Sequence, residues 1–283
     1  MNWEHHKPII TEAYFTAINS NNIELFKIIK ENRSTLEQVF PLIKYIIERV
    51  NAISVLTANE LLWDAEIVGR SAIETIVKYA FIVEADESER PTLLNEFWNE
   101  LSEIYTVKLS EQAKKNLKHT NESEIHRLAY NPLIISESEQ ERLRTKWTKS
   151  SRTKIEQKWS FTGIINFLAK KNKGTPLECI EFLTHSYRIS SHVTHGDETG
   201  INLIMERESR EESERNAVHN AHYLRLLSDC FSYCLMTALY TTQYLKIDPI
   251  YFLDLSNSLK EFVPLIEQYH KVPFEDKIYD KYK

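Results

Sequence analysis

Apolar residues recur at intervals of three and four along most of the chain, the period of helices with one buried face. Val39, Leu42, Ile43, Ile46, Ile47 and Val50 make one such stripe. It follows Ser34-x-x-Glu37, the spacing of a capping box. A second stripe spans about 59–84 with Leu62, Ala65, Val68, Ile73, Ile76, Val77, Ala80 and Phe81, and Pro91 opens a third with Leu94, Phe97, Trp98 and Leu101. Trp159 to Leu168 reads as a packed helix. A charged segment, Glu206 to Glu214, leads into the longest helix, which runs to about Lys246 with Ala217, Ala221, Leu224, Phe231, Leu235, Ala238 and Leu245 inward. Ile23 to Lys30 is a short amphipathic piece, and Asp248-Pro249 starts a C-terminal helix that ends near His270. The pattern predicts an all-α multi-helix bundle. We expect one helical domain over 1–283, with core helices in 34–105 and 159–246 and a C-terminal helical extension at 247–283. Between 106 and 158 the periodicity weakens, charge rises and Asn131-Pro132 breaks the chain, so this stretch reads as a charged excursion or flap.

Composition sharpens that picture. Only five glycines occur, against roughly 7% in ordinary proteins, which disfavours hairpin-rich sheets. Neither Gly-rich nucleotide-binding motif is present, and no cofactor is expected. The 42% apolar content supports a real core. Cys179, Cys230 and Cys234 form no disulfide framework; Cys230 and Cys234, four apart on an apolar helix, read as small core residues. Trp3 and His5-His6 stand where a signal peptide needs an apolar run, and no uncharged apolar stretch is long enough for a membrane span. A cytoplasmic protein without a membrane partner is the expectation. The net charge of −6 announces no global affinity for nucleic acid. Locally, Arg142, Arg144, Lys146, Lys149, Arg152, Lys154 and Lys158 face two glutamates, with Trp147 among them and Trp159 at the edge. Such a segment is either a solvated linker or a strip that tracks a phosphate backbone and stacks a base.

One helix carries concentrated polar chemistry. Thr175 is a good N-cap, Pro176 suits the first helical position, Glu178 completes a capping box, and Gly196 suits the left-handed end. Seven residues at about 100° each bring His195 to within roughly 20° of Arg188, about 10 Å along the axis, with His192 between them.

Arg188-x6-His195 fits R-x4-6-H, the signature of the HEPN superfamily (higher eukaryotes and prokaryotes nucleotide-binding). With ten histidines the bare spacing also arises by chance, and it recurs at Arg215-x6-His222. Tyr187-Arg188-x-x-Ser191-x-x-x-His195-Gly196 resembles a late-helix motif of an uncharacterised bacterial all-helical family with HEPN-like character. That family also carries an early Arg-x3-Glu, matched here by Arg70 and Glu74, and a tryptophan-led helix before the late motif, matched by Lys158-Trp159-Ser160. The resemblance covers about 50–90 and 155–200. It implies a HEPN-like core, a homodimer with its Arg/His helices meeting on the two-fold axis, and a metal-independent RNA-cleaving or RNA-binding effector of the toxin or phage-defence type, possessing a protein regulator in some settings.

In such a site His195 would take the proton of a ribose 2′-hydroxyl. Arg188 would offer a planar donor fork to the phosphate, Tyr187 or Ser191 would position it, and the products would carry 2′,3′-cyclic phosphates. His192 is a second acid/base or a satisfied neighbour. Arg70 and Glu74, four apart, can pair. The same residues also suit a buried network that locks two helices together, or a non-catalytic face that binds a protein or nucleotide. A metal centre is not expected: Glu267-x-x-His270 stands alone, and His219-x-x-His222 lacks a carboxylate at helical spacing.

Overall fold

The computed structural model describes residues 2–120 and 123–275, without the side chains at 176, 179, 274 and 275. Cys179 therefore lies outside the described side chains, as does the end of the expected C-terminal extension. Every regular element among the described residues is helical, with no strand. Contacts divide the chain into two compact units, 1–84 together with 165–283, and 85–164.

The first unit begins with α1 (Trp3–Glu31), α2 (Arg33–Leu36), α3 (Phe40–Ala58) and α4 (Leu62–Val83). The periodicity catches only the last turns of α1, because two of its buried positions are Asn21 and Asn22. Ser34 falls inside α2, so the expected capping box does not open α3; Pro41 stands in the first turn of that helix instead.

In the second unit α5 (Arg90–Asn95) runs through a π-helical turn at Glu96–Glu100 into α6 (Leu101–His119). Then come α7 (Glu124–Tyr130), a 3-10 turn at Asn131–Leu133, α8 (Glu137–Lys146) and α9 (Lys149–Lys158). Asn131-Pro132 breaks the chain as expected. Ser136 and Thr148 cap α8 and α9, each accepting the backbone N–H three residues on at 3.2 Å. This unit starts well before residue 106, because the helix opened by Pro91 belongs to it.

The chain continues through α10 (Phe161–Lys171), a 3-10 segment at Pro176–Phe182, α11 (Leu183–His195), α12 (Glu198–Glu208), α13 (Glu212–Leu245), α14 (Ile250–Ser258) and α15 (Val263–Glu275). Three differences from the sequence reading stand out. The segment capped by Thr175 winds as 3-10 before α11 starts, and Glu178 accepts from the Gly174 N–H at 2.8 Å rather than from Thr175. The charged segment before α13 contains the end of a separate helix, α12. The single C-terminal helix is two, α14 and α15, joined by a 3-10 turn at Lys260–Phe262.

Helix α13 organises the first unit, packing against α1, α3, α4 and α15. Its burial is wider than one stripe: Leu224, Leu227, Cys230, Phe231, Cys234, Ala238 and Tyr240 are all buried, while Leu235 and Leu245 are half-buried. A helix covered on several sides has no single apolar face to display. Burial pushes both the Cys230 and Cys234 thiols up, so they stay protonated core groups. Tyr79 of α4 meets Thr241 of α13 at 2.7 Å, satisfying two hydroxyls within this core.

The α11–α12 corner is tight. Gly196 takes φ +55, and Asp197 caps α12 by accepting from the Gly200 N–H at 3.0 Å. A Cβ on Gly200 would lie 2.4 Å from the His192 backbone oxygen. Gly200→Ala should therefore push α12 away from the end of α11 and cost about 1–3 kcal/mol. Urea unfolding would register this as a lower midpoint; an unchanged midpoint would mean that the corner yields freely.

Candidate functional site

Helix α4 carries three charged residues at four-residue spacing, Glu66, Arg70 and Glu74, along the side that packs against α11. An apolar helix tolerates such a row only where partners meet it. Here α11, α12 and α13 supply them, and the result is two polar clusters on one helix.

The outer cluster centres on Arg70. Its Nε donates to Glu74 Oε1 at 3.1 Å, and its Nη1 lies 2.8 Å from His195 Nε2. Nη2 reaches the Tyr187 hydroxyl at 3.4 Å, and the guanidinium lies 5.3 Å from the centre of the Tyr187 ring. A guanidinium can only donate, so Nε2 of His195 is the acceptor and its proton sits on Nδ1. The Arg70 side chain is 17% exposed, while His195 is exposed at the end of α11. The contact thus holds Nε2 as a hydrogen-bond acceptor on a residue exposed to solvent.

Arg188 is exposed on the same helix and is held by no hydrogen bond or ion pair among the described residues. Ser191 is half-buried beside it. His192 Nδ1 pairs with Asp197 Oδ2 at 2.8 Å. Asp197 thus caps α12 and holds His192, and its carboxyl is kept low first by the Gly200 N–H and then by His192. Of the residues singled out from the sequence, Arg70, Glu74, Tyr187 and His195 are brought together; Arg188, Ser191 and His192 lie on the same helix outside that set of contacts.

The inner cluster centres on Glu66, 2% exposed. Its Oε1 accepts from His222 Nε2 at 2.8 Å and also from Arg225 Nη2, both on α13. Ser190 Oγ of α11 lies 2.7 Å from Oε2 and 2.8 Å from the Ser186 carbonyl, so its single proton is shared between two acceptors. Arg225 extends through Nη1 to Asp229 at 2.9 Å. Arg207 of α12 meets His222 Nδ1 at 2.6 Å and stacks 4.1 Å from the centre of the Trp63 ring. Burial first, and Arg207 second, hold His222 well below its ordinary value of 6.5, so the ring is neutral near pH 7. Both its nitrogens are engaged within the fold, which leaves none for a substrate.

The second Arg-x6-His copy therefore does not form a pair. Arg215 is half-buried in the first turn of α13 and does not meet His222; Arg207 does. Glu66, Arg207 and Arg225 escaped the sequence reading, as did the carboxylates that His222 and His219 find on another segment, Glu66 and Glu60. The available signal was Glu66 itself, an acid directly following Ala65 within the apolar stripe of α4.

The basic strip of the second unit is largely compensated. Arg142 pairs with Glu139, Arg144 with Glu111, Lys146 with Glu103 and Lys158 with Glu96. The Trp147 and Trp159 indoles donate to Glu103 and Glu96 at 2.9 and 2.8 Å, and Trp159 is buried. Burial takes the Trp159 ring out of reach of a base, and Lys146 Nζ stands 5.2 Å from the centre of the half-buried Trp147 ring. Lys149, Arg152 and Lys154 of α9 are the cations of the strip with no ion pair among the described residues.

Residues 37–213 match a family of unknown function, DUF5677, and the chain belongs to that family. The matched segment includes all of α4, α11 and α12, hence the whole outer cluster, and ends as α13 begins. No curated protein and no solved structure matches the chain. No helix among the described residues is long and apolar enough to cross a membrane, and none of their side chains gather as three or more His, Cys, Asp or Glu able to hold a metal ion.

Removing Glu66 leaves the buried His222 Nε2–H without its acceptor and takes from Arg225 one of its two carboxylates, so Glu66→Ala should cost about 1–3 kcal/mol of stability. A loss under about 1 kcal/mol in chemical denaturation would contradict that placement. Burial also lowers the His219 and His270 values, alongside that of His222. A depressed folded value means that the unfolded chain binds more protons as pH falls through 6.5, so stability drops on acidification below that point. The slope of melting temperature against pH from 7 to 5 should be shallower in His222→Gln than in the wild type.

Proposed function

We propose that this chain is a metal-independent RNA-cleaving or RNA-binding HEPN-like effector whose site is built on Arg70, Arg188 and His195. The observation that carries the reading is the 2.8 Å contact that holds Nε2 of the exposed His195 as a hydrogen-bond acceptor beside a guanidinium. In RNA cleavage the 2′-oxygen bonds to phosphorus while the P–O5′ bond breaks. His195 accepts the 2′-hydroxyl proton, and a second acid returns a proton to O5′. A phosphate entering the site competes for Arg70, which frees Nε2, and Arg70 and Arg188 then donate to the crowded oxyanion. Tyr187 keeps Arg70 oriented. His192, tied to Asp197, is one candidate for the acid; the same histidine of a second copy in a two-fold dimer is the other. Within the second unit, Lys149, Arg152 and Lys154 are the cations suited to phosphate contacts of their own. The setting we propose is a cytoplasmic stress or phage-defence effector under a protein regulator.

One observation favours a second reading. Arg70 already satisfies three partners within its own fold, as a clamp between α4 and α11 would. The chain would then be a non-catalytic module that uses the same face to bind a protein or nucleotide.

The decisive experiment incubates the purified protein with a mixed RNA pool in EDTA, beside His195→Ala and Arg188→Ala. Cleavage with cyclic-phosphate ends should fall by roughly 10²–10⁴-fold in His195→Ala with little change in melting temperature, because that ring is exposed. Absence of cleavage by the wild type, with a lowered melting temperature in His195→Ala, would favour the clamp.

A further inference from the structure

At the corner between α11 and α12 one carboxylate serves two donors. Asp197 Oδ1 accepts the Gly200 N–H at 3.0 Å, and Oδ2 lies 2.8 Å from His192 Nδ1. Capping α12 needs only one of those oxygens. The cap ties the carboxylate to the backbone of a tight corner, so the oxygen facing His192 is held by the fold. A carboxylate only accepts, so Nδ1 of His192 carries the proton and donates it. Nε2 of the same ring has no hydrogen-bond partner among the described residues, and the side chain is 45% exposed. His222 also meets a carboxylate at 2.8 Å, but it is buried with both nitrogens engaged.

The two histidines at the end of α11 are thus held in opposite senses. His195 is engaged through Nε2 as an acceptor from Arg70, and His192 through Nδ1 as a donor to Asp197. Residues three apart on a helix have Cβ atoms about 5–6 Å from one another, so the two rings are neighbours. Arg188 stands one turn before His192 on the same side of the helix.

We infer that Asp197 is a positioning residue that fixes His192 as the general acid of the cleavage step. The inference rests on the RNA-cleaving reading above. As the 2′-oxygen bonds to phosphorus, His195 takes its proton. As the P–O5′ bond breaks, the imidazolium of His192 gives its Nε2 proton to O5′, which leaves a cyclic phosphate and a 5′-hydroxyl. The attacking and leaving oxygens stand roughly in line through phosphorus, so base and acid must flank one phosphate. Two rings a helical turn apart meet that requirement. Asp197 touches no substrate: it sets which nitrogen of His192 faces outward, and its charge balances that of the imidazolium.

The test uses the full chain and an RNA oligonucleotide cut by the wild type, beside the same oligonucleotide with sulfur replacing the bridging O5′ at the cleaved bond. A thiolate leaves without a proton, so the sulfur substrate bypasses the acid and still needs the base. His192→Ala should lose roughly 10²–10⁴-fold on the oxygen substrate and under about 10-fold on the sulfur one. Asp197→Asn keeps a capping oxygen but removes the charge beside Nδ1, so it should show the same split, at roughly 10- to 100-fold on the oxygen substrate. His195→Ala should lose comparably on both. Equal losses on the two substrates in His192→Ala, as a misshapen corner would give, or no loss on RNA, would overturn the acid while leaving the proposed function standing. A split in His192→Ala that Asp197→Asn does not share would overturn the positioning role alone. A wild type that cuts neither substrate would overturn the proposed function and this assignment with it.

Discussion

The carboxylate of Glu66 is the point on which the polar architecture of the first unit depends. It is almost fully buried on α4 and takes donors from α11 and α13 at once. Burying an ion is unfavourable unless its charge and lone pairs are met, and a geometry that meets them is narrowly defined. Ser190, His222 and Arg225 must therefore sit at one rotation and height of their helices. Apolar packing alone would allow α11 to slide on α4; the carboxylate restricts that freedom.

From this anchor the outer cluster follows. Arg70 is one helical turn beyond Glu66, and once α11 is registered by Ser190, Tyr187 and His195 come within reach of its guanidinium. The exposed contact inherits its geometry from a buried one, as a preorganised site requires. The tight corner at Gly196, Asp197 and Gly200 then brings α12 back so that Arg207 closes over His222 and Trp63. The two Arg-x6-His spacings thus meet different fates for a physical reason. His195 stands at a helix end, where a ring reaches solvent. His222 stands in mid-helix, facing a packed neighbour, where both nitrogens need partners.

The second unit shows the same logic at the surface. A run of cations suggests a phosphate-binding strip only while its neighbours are unknown. Glu96, Glu103 and Glu111 recur along the preceding helical segment and meet Lys158, Lys146 and Arg144 across it. Exposed pairs of this kind contribute little stability each, but they remove free charge from the strip. Among the described residues, the α9 cations Lys149, Arg152 and Lys154 keep theirs uncompensated by an ion pair.

What the sequence by itself determined was local. Apolar spacing, Pro91, the Asn131-Pro132 break and Gly196 specify helices and several of their ends, because these depend on contacts within a few residues. The Arg70–Glu74 pair was legible for the same reason. The limits of α1 and the existence of α12 were not, since Asn21 and Asn22 interrupt one stripe and charge obscures the other. Only the tertiary structure decided which polar residues meet. Glu66 is separated from Ser190 by 124 positions and from Arg225 by 159, and no periodicity encodes a contact at that distance. Such pairings arise when a buried charge requires a partner and the packing of α4, α11 and α13 leaves few side chains able to reach it.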